Sequence, residues 1–348
     1  MTNQGARQQS VRDVTGTALT YDGDWHALFD LASIPAGPFN GRLLAWINGR
    51  LGVTYPDLPG AMQAFAESQG AYNWSSMGTF DAAGGFTGIL DELTAPAVAA
   101  WSVARALTTD WLEQPLIRLR RASDNVESDF GADEDGNLDT AAIATWIGGS
   151  SAFVVTVYDQ VGSANFTQAT AALQLPYVSS VAELDGRPAA AMGADYMSAA
   201  LSKSDAPIGV YGVFNEQEPV GTSFPRFLTT SADINQILWL RFNNNRGYFT
   251  GSFKSVYPNA VSLPQPFYFA TECDGVNNTV YYRGQAQTPV AEAANFSFTY
   301  MRVGANGAGG DFGAGHFAEV LYFAAPLSSP DRARVFASHV DQYGIPPL

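Results

Sequence analysis

From Leu116 to Phe323 the chain is written in short runs of β-branched and aromatic residues, each stopped by glycine, proline or asparagine. Leu116-Ile-Arg-Leu-Arg alternates apolar with charged side chains, and Ala152-Phe-Val-Val-Thr-Val-Tyr is a run dominated by valine and threonine. Comparable runs begin at Ile208, Gln236, Arg246, Pro266, Thr279, Tyr300 and Phe317. No long helical pattern separates them, which excludes a parallel α/β sheet and predicts an antiparallel β-sandwich. Aromatic residues make up 13% of the chain and charged residues only 15%. The first supplies a bulky core, and the second leaves the surface to Gly, Ser, Thr, Asn and Gln, a mix suited to many turns.

Helical signals flank this region. Ser328 or Ser329 caps a closing helix with Pro330 and Asp331 in its first turn and Gly344 as its stop. Asp139 caps an alanine-rich helix. Pro96 opens a helical piece running through Trp101 to Leu107. Further forward, Asn40 caps a helix on Leu43, Leu44, Ile47 and Leu51, and Asp57 caps a second on Met62, Phe65 and Ala66. The glycine-rich stretch from Asp81 to Gly88 reads as a linker. The expected organisation is an amino-terminal arm over residues 1–18, a small helical attachment domain over 19–94, and a sandwich with its closing helix over 95–348.

The formal net charge is −15, and Lys203 and Lys254 are the only lysines. Such a chain lacks the basic face that nucleic acid or an anionic membrane surface selects. No apolar run approaches the ~20 residues of a spanning helix. The amino terminus carries no signal-peptide pattern, and Cys273 is the single cysteine, so no intrachain disulfide forms. These features point to synthesis in a cytosol. No cofactor or metal is implied. Asp133, Asp135, Asn137 and Asp139 crowd one loop, but Gly136 is misplaced for a calcium loop.

Three stretches together resemble the catalytic domain of the arabinofuranosidase B family: Pro115 to Asn125, Gly136-Asn-Leu-Asp-Thr, and Phe153 to Gln168, which contains Tyr158-Asp-Gln. The resemblance spans roughly residues 96–343. It implies a β-sandwich (jelly roll) of the concanavalin A-like lectin/glucanase class. Retaining glycosidases need two carboxyl groups across the scissile bond. In the family the nucleophilic Glu lies in a strand with the pattern Asp-Leu-Glu-Asn-Gly. The matching stretch here, Trp239 to Gly251, puts Asn245 in that place and Asn243 at the preceding Asp. The family's acid/base Asp follows a late strand, and Asn306 falls there. An amide neither attacks an anomeric carbon nor donates a suitable proton, but it bonds well to sugar hydroxyls.

Trp239, Asn243, Asn245, Arg246, Tyr248, Asn306 and Asp311 are therefore the candidate carbohydrate-binding residues, with His316 beside them and no catalytic residue assigned. The plainer alternative is an asparagine-rich hairpin and an ordinary glycine-rich connector. Asp124 and Asp159 read as turn formers, Asp274-Gly275 as a hairpin turn, and Cys273 as a small buried residue. Segments of the front part resemble structural proteins of tailed phages: Tyr21 to Asp30, Phe39 to Asn48 and Leu58 to Ala66. Together the two resemblances imply an oligomeric virion fibre or spike. Its LamG-like sandwich would bind host surface polysaccharide without cleaving it, and its front domain would hold other virion proteins. Two alternatives stand beside it. One is a glycoside hydrolase using Glu272, Asp274, Asp311 or Glu319, and the other is a purely structural decoration protein.

Overall fold

A computed structural model of the chain describes residues 86–203, 207–217, 226–230, 236–242, 245–250, 253–258, 264–291, 298–305 and 313–348. The expected arm, both front helices and the linker through Gly85 lie outside the described residues, as do Asn243, Asn306 and Asp311. All the described residues except Phe86 belong to one compact unit, Thr87–Leu348.

The unit is mainly β. In chain order the strands are β1 (Ala97–Ser102), β2 (Pro115–Arg121), β3 (Glu127–Gly131), β4 (Ala152–Val157), β5 (Phe166–Thr167) and β6 (Leu175–Val181). Then come β7 (Arg187–Met192), β8 (Met197–Ala199), β9 (Ile208–Glu216), β10 (Arg226–Thr229), β11 (Gln236–Phe242), β12 (Asn245–Thr250) and β13 (Phe253–Pro258). The last are β14 (Gln265–Cys273), β15 (Asn277–Tyr282), β16 (Gln285–Ala286), β17 (Val290–Ala291), β18 (Met301–Val303) and β19 (Gly315–Phe323). Two α-helices are described, α1 (Thr140–Ile147) and α2 (Ser329–Tyr343).

All strand pairings among the described residues are antiparallel. One layer is built on β19, β9, β14 and β15, with β1 and β7 sharing the free side of β19. The other runs β3, β2, β4, β5, β8, β18, β10, β11, β12, β13. Strand β6 pairs with both β4 and β7 and joins the layers at one corner. Aromatic rings fill the space between them. Trp101 lies 4.5 Å from Phe166, Phe166 5.9 Å from Phe317, and Phe214 5.9 Å from Phe227.

The first layer is covered on its other face by α2. Every residue of β9 is buried, which is why its sequence reads as a continuous apolar run instead of alternating. The helix buries Asp331, Val335, His339 and Tyr343, spaced four apart on one stripe. Val335 packs with Tyr211, Ala270 and Leu321, and Tyr343 with Val213, Tyr268 and Ala318. The expected caps form: Ser328 Oγ accepts from Asp331 N, Gly344 closes the helix at φ 63°, and Asp139 accepts from Ala142 N to start α1.

One expectation fails. The segment from Pro96 is not helical: Ala97–Ser102 is β1, paired with β19 so that Trp101 faces Val320. Its alanines favour helix in isolation, but Ala99, Ala100 and Trp101 are fully buried as an edge of the sheet. Burial against β19 outweighs a propensity of a few tenths of a kcal/mol per residue.

Candidate active site

The strand order gathers several chain crossings at one end of the sandwich. Strand β7 leaves the first layer at Met192 and re-enters the second at Met197. Strands β9 and β10 are joined there too, from Glu216 to Arg226, as are β13 and β14, from Pro258 to Gln265. Strand β18 ends at Val303 and β19 begins at Gly315, again at this end. The β11–β12 hairpin closes there, with Phe242 opposite Asn245.

Two glycines permit the tight crossings. Gly304, at φ +91°, would place a Cβ 2.6 Å from the Asp195 carbonyl oxygen. Gly315, at φ +138°, would place one 1.9 Å from that of Asn215. The β18–β19 connection is closed at its base, where Gly313 N donates to Gly304 O at 2.9 Å.

Among the sequence candidates, Trp239 lies in β11, while Asn245, Arg246 and Tyr248 lie in β12. Topology therefore brings Asn245 and the residues following Val303 to the same end, separated by β10 and β11. The hairpin reading of the asparagine run is also satisfied, since β11 and β12 pair across it. His316 faces Asn215, with Nδ1 3.3 Å from the amide nitrogen, and burial lowers its basicity.

Two residues here carry signals that the sequence pattern did not reveal. Asp195 lies in the β7–β8 crossing, half-buried, and burial alone raises its carboxyl above the usual 3.8. Next in the chain after Asp195, the Tyr196 ring lies 4.3 Å from the Arg302 guanidinium, which is also 5.2 Å from the Tyr300 ring and whose Nε donates to Ser198 Oγ at 2.8 Å. A lone Asp in a Gly-Ala-Asp-Tyr turn looks like any turn former. Only the contact with Gly304 marks its place.

Of the carboxylates that the hydrolase alternative nominated, Glu272, Asp274 and Glu319 are otherwise engaged, and Asp311 lies outside the described residues. Glu319 accepts from Arg105 Nε and Nη2, both at 2.9 Å, from Tyr343 Oη at 3.0 Å and from His339 Nε2 at 3.1 Å. Burial would raise its carboxyl, but Arg105 and His339 hold it far below the carboxylate range. Glu272 accepts from Tyr211 Oη, from Leu327 N at 3.2 Å and from Arg332 Nη1 at 2.7 Å. Both clamp α2 onto the first layer. Asp274 caps its own turn, accepting from Val276 N and Asn277 N, and those bonds lower its pKa.

The turn residues behave as expected. Asp159 is buried and accepts from the amides of Ala100, Val161 and Ala164, which welds the Tyr158-Asp-Gln turn to β1. Asp124 pairs with Arg121 and accepts from Val126 N. Asp133 accepts from the amides of Asp135 and Asn137. No group of three potential metal ligands occurs among the described residues. Cys273 is buried.

The described residues form a two-layer antiparallel sandwich in which several strands end or begin at one common end. Residues 88–217 match the family model for the catalytic domain of α-L-arabinofuranosidase B. The chain is similar in fold to an arabinofuranosidase complexed with arabinofuranosyl-α-1,2-xylobiose (TM-score 0.57, 18% identity) and to a GH54 α-L-arabinofuranosidase soaked with a cyclic sulfate inhibitor (0.56, 16%). In each case the match covers 73% of this chain and 64% of the other. No curated protein matches the chain. At these identities the likeness is one of fold.

These findings correct the expectation of a non-cleaving virion fibre, spike or receptor-binding protein. The match over residues 88–217 falls on the catalytic model of a glycosidase family. Asn245 and Asn306 are two positions outside residues 88–217. The match rests on a different part of the chain.

Proposed function

We propose that the sandwich is a glycoside hydrolase domain that removes arabinofuranosyl groups from a polysaccharide, at the end where the crossings meet. The observation that carries this reading is the match of residues 88–217 to the arabinofuranosidase B catalytic model. The fold likeness to arabinofuranosidases over 73% of the chain supports it. Hydrolysis of a furanoside passes through an oxocarbenium-like transition state, stabilised by one carboxyl that protonates the leaving oxygen and another that faces the anomeric carbon. The amides at Asn245 and Asn306 perform neither task, and Glu272 and Glu319 are spent on α2. The working carboxyls must then come from elsewhere at the crossing end.

The test is to incubate the purified chain with 4-nitrophenyl α-L-arabinofuranoside and with arabinose-decorated xylan, and to measure free arabinose. Release from either supports the proposal. No release from both, across mildly acidic to neutral pH, refutes it.

A further inference from the structure

We infer that Asp195 is the proton-donating carboxyl of this site. The inference rests on the hydrolase reading and deepens it by assigning the acid to the β7–β8 crossing, away from Asn306.

Three observations converge on Asp195. The first is place. It stands where the chain passes from one layer to the other, and its main chain touches Gly304, the residue that opens the β18–β19 connection. A side chain at Gly304 would collide with it, so the backbone carrying the carboxyl is fixed by close packing. Catalytic groups need this kind of pre-set position.

The second is lack of occupation. Glu319, Glu272, Asp159, Asp124 and Asp274 are each held by hydrogen-bond donors. The Asp195 carboxyl is half-buried without a hydrogen-bond partner among the described residues. Its oxygens are not among the buried unpartnered atoms of the described residues, so they stay open to solvent and to a substrate. The third is its proton. Burial favours the protonated form, and no charged group among the described residues offsets this. The Arg302 guanidinium is engaged by Tyr196, Tyr300 and Ser198. A carboxyl shifted upward by burial is the state in which general acids are kept.

The step balances on this one group. The Asp195 carboxylic acid passes its proton to the glycosidic oxygen as the bond from that oxygen to the anomeric carbon breaks, and the alcohol leaves. Water then adds to the anomeric carbon and returns a proton to the Asp195 carboxylate. The net change is consumption of one water.

The test compares wild type with Asp195→Asn on two substrates. Methyl α-L-arabinofuranoside has a leaving group that needs protonation, and 4-nitrophenyl α-L-arabinofuranoside has one that departs as an anion. For the variant, kcat/KM on the methyl glycoside should fall roughly 10²–10⁴-fold, the usual contribution of a general acid. On the nitrophenyl glycoside the fall should be much smaller, and the alkaline limb of the pH profile should vanish. Equal activity of variant and wild type on the methyl glycoside overturns the inference, and so does an equal loss on both substrates. Asp195→Ser gives a second variant with the same expectations. If wild type cleaves neither substrate, the hydrolase reading itself has failed. If wild type is active and Asp195→Asn is unaffected, only the assignment of Asp195 has failed.

Discussion

Replacing Glu319 by Gln tests whether the buried carboxylates under α2 are structural. In the native protein four donors converge on Glu319: two guanidinium nitrogens of Arg105, the Tyr343 hydroxyl and His339 Nε2. Glu319 is fully buried and Arg105 is 9% exposed. An amide cannot accept on both sides of the Arg105 fork, and the guanidinium then has no counter-ion. Removing one member of a buried ion pair costs about 3–5 kcal/mol. With a urea slope of about 3 kcal/mol/M, the unfolding midpoint should fall by roughly 1–1.7 M. Urea titration followed by tryptophan fluorescence measures this directly. The double change Arg105→Met with Glu319→Leu should recover part of the loss. Recovery stays incomplete because His339 and Tyr343 still lose their acceptor. The pH dependence has a definite sign. Burial holds His339 neutral, below the usual 6.5, so its Nε2–H donates to the carboxylate and Nδ1 is bare and unpartnered. Stability tied to His339 is complete above pH 6.5 and is lost as pH falls through the lowered value. Stability tied to Glu319 is complete above the usual 4.5 and is lost further into acid. Glu319→Gln should remove the second decline. A loss under about 1 kcal/mol would refute the structural reading and return Glu319 to the list of catalytic candidates.

Three further outcomes are expected. Gly315→Ala should prevent folding or sharply lower soluble yield, because the new Cβ meets the Asn215 carbonyl at 1.9 Å and the φ is +138°; wild-type yield would contradict the fold at the β19 entry. Ser328→Ala should cost about 1 kcal/mol in thermal unfolding through loss of the bond from Asp331 N to Ser328 Oγ. Asp195→Asn should leave stability at neutral pH unchanged or raised, since a carboxyl shifted up by burial favours folding below 3.8 and loses that contribution as pH rises through the shifted value. A marked fall in melting temperature at pH 7 would mean that Asp195 has a structural partner.

Much of the sandwich was legible because strands carry their own signals. The runs at Leu116, Ala152, Ile208, Gln236, Pro266 and Phe317 became β2, β4, β9, β11, β14 and β19, since β-branched and aromatic residues announce strands without knowing their partners. The caps of α1 and α2 were equally local, each resting on a side chain within three residues of the amide it serves. Strand β1 is not legible locally, because its alanines favour helix until β19 lies beside them. The site was less legible still. Arg105 and Glu319 stand 214 residues apart, and nothing in either neighbourhood distinguishes a clamp from a catalytic carboxylate.

The sequence by itself determined an antiparallel β-rich unit closed by a capped helix, with α1 capped by Asp139 and turns fixed by Asp124, Asp159 and Asp274. These features follow from local chemistry: residue shape, hydrogen-bonding reach and periodicity act within a few residues. The tertiary structure alone decided which carboxylates are spent. It folded Glu272 and Glu319 beneath α2 and left Asp195 half-buried without a hydrogen-bond partner among the described residues. Desolvation and pairing set the charge and availability of a carboxyl, and both depend on what distant parts of the chain bring alongside it.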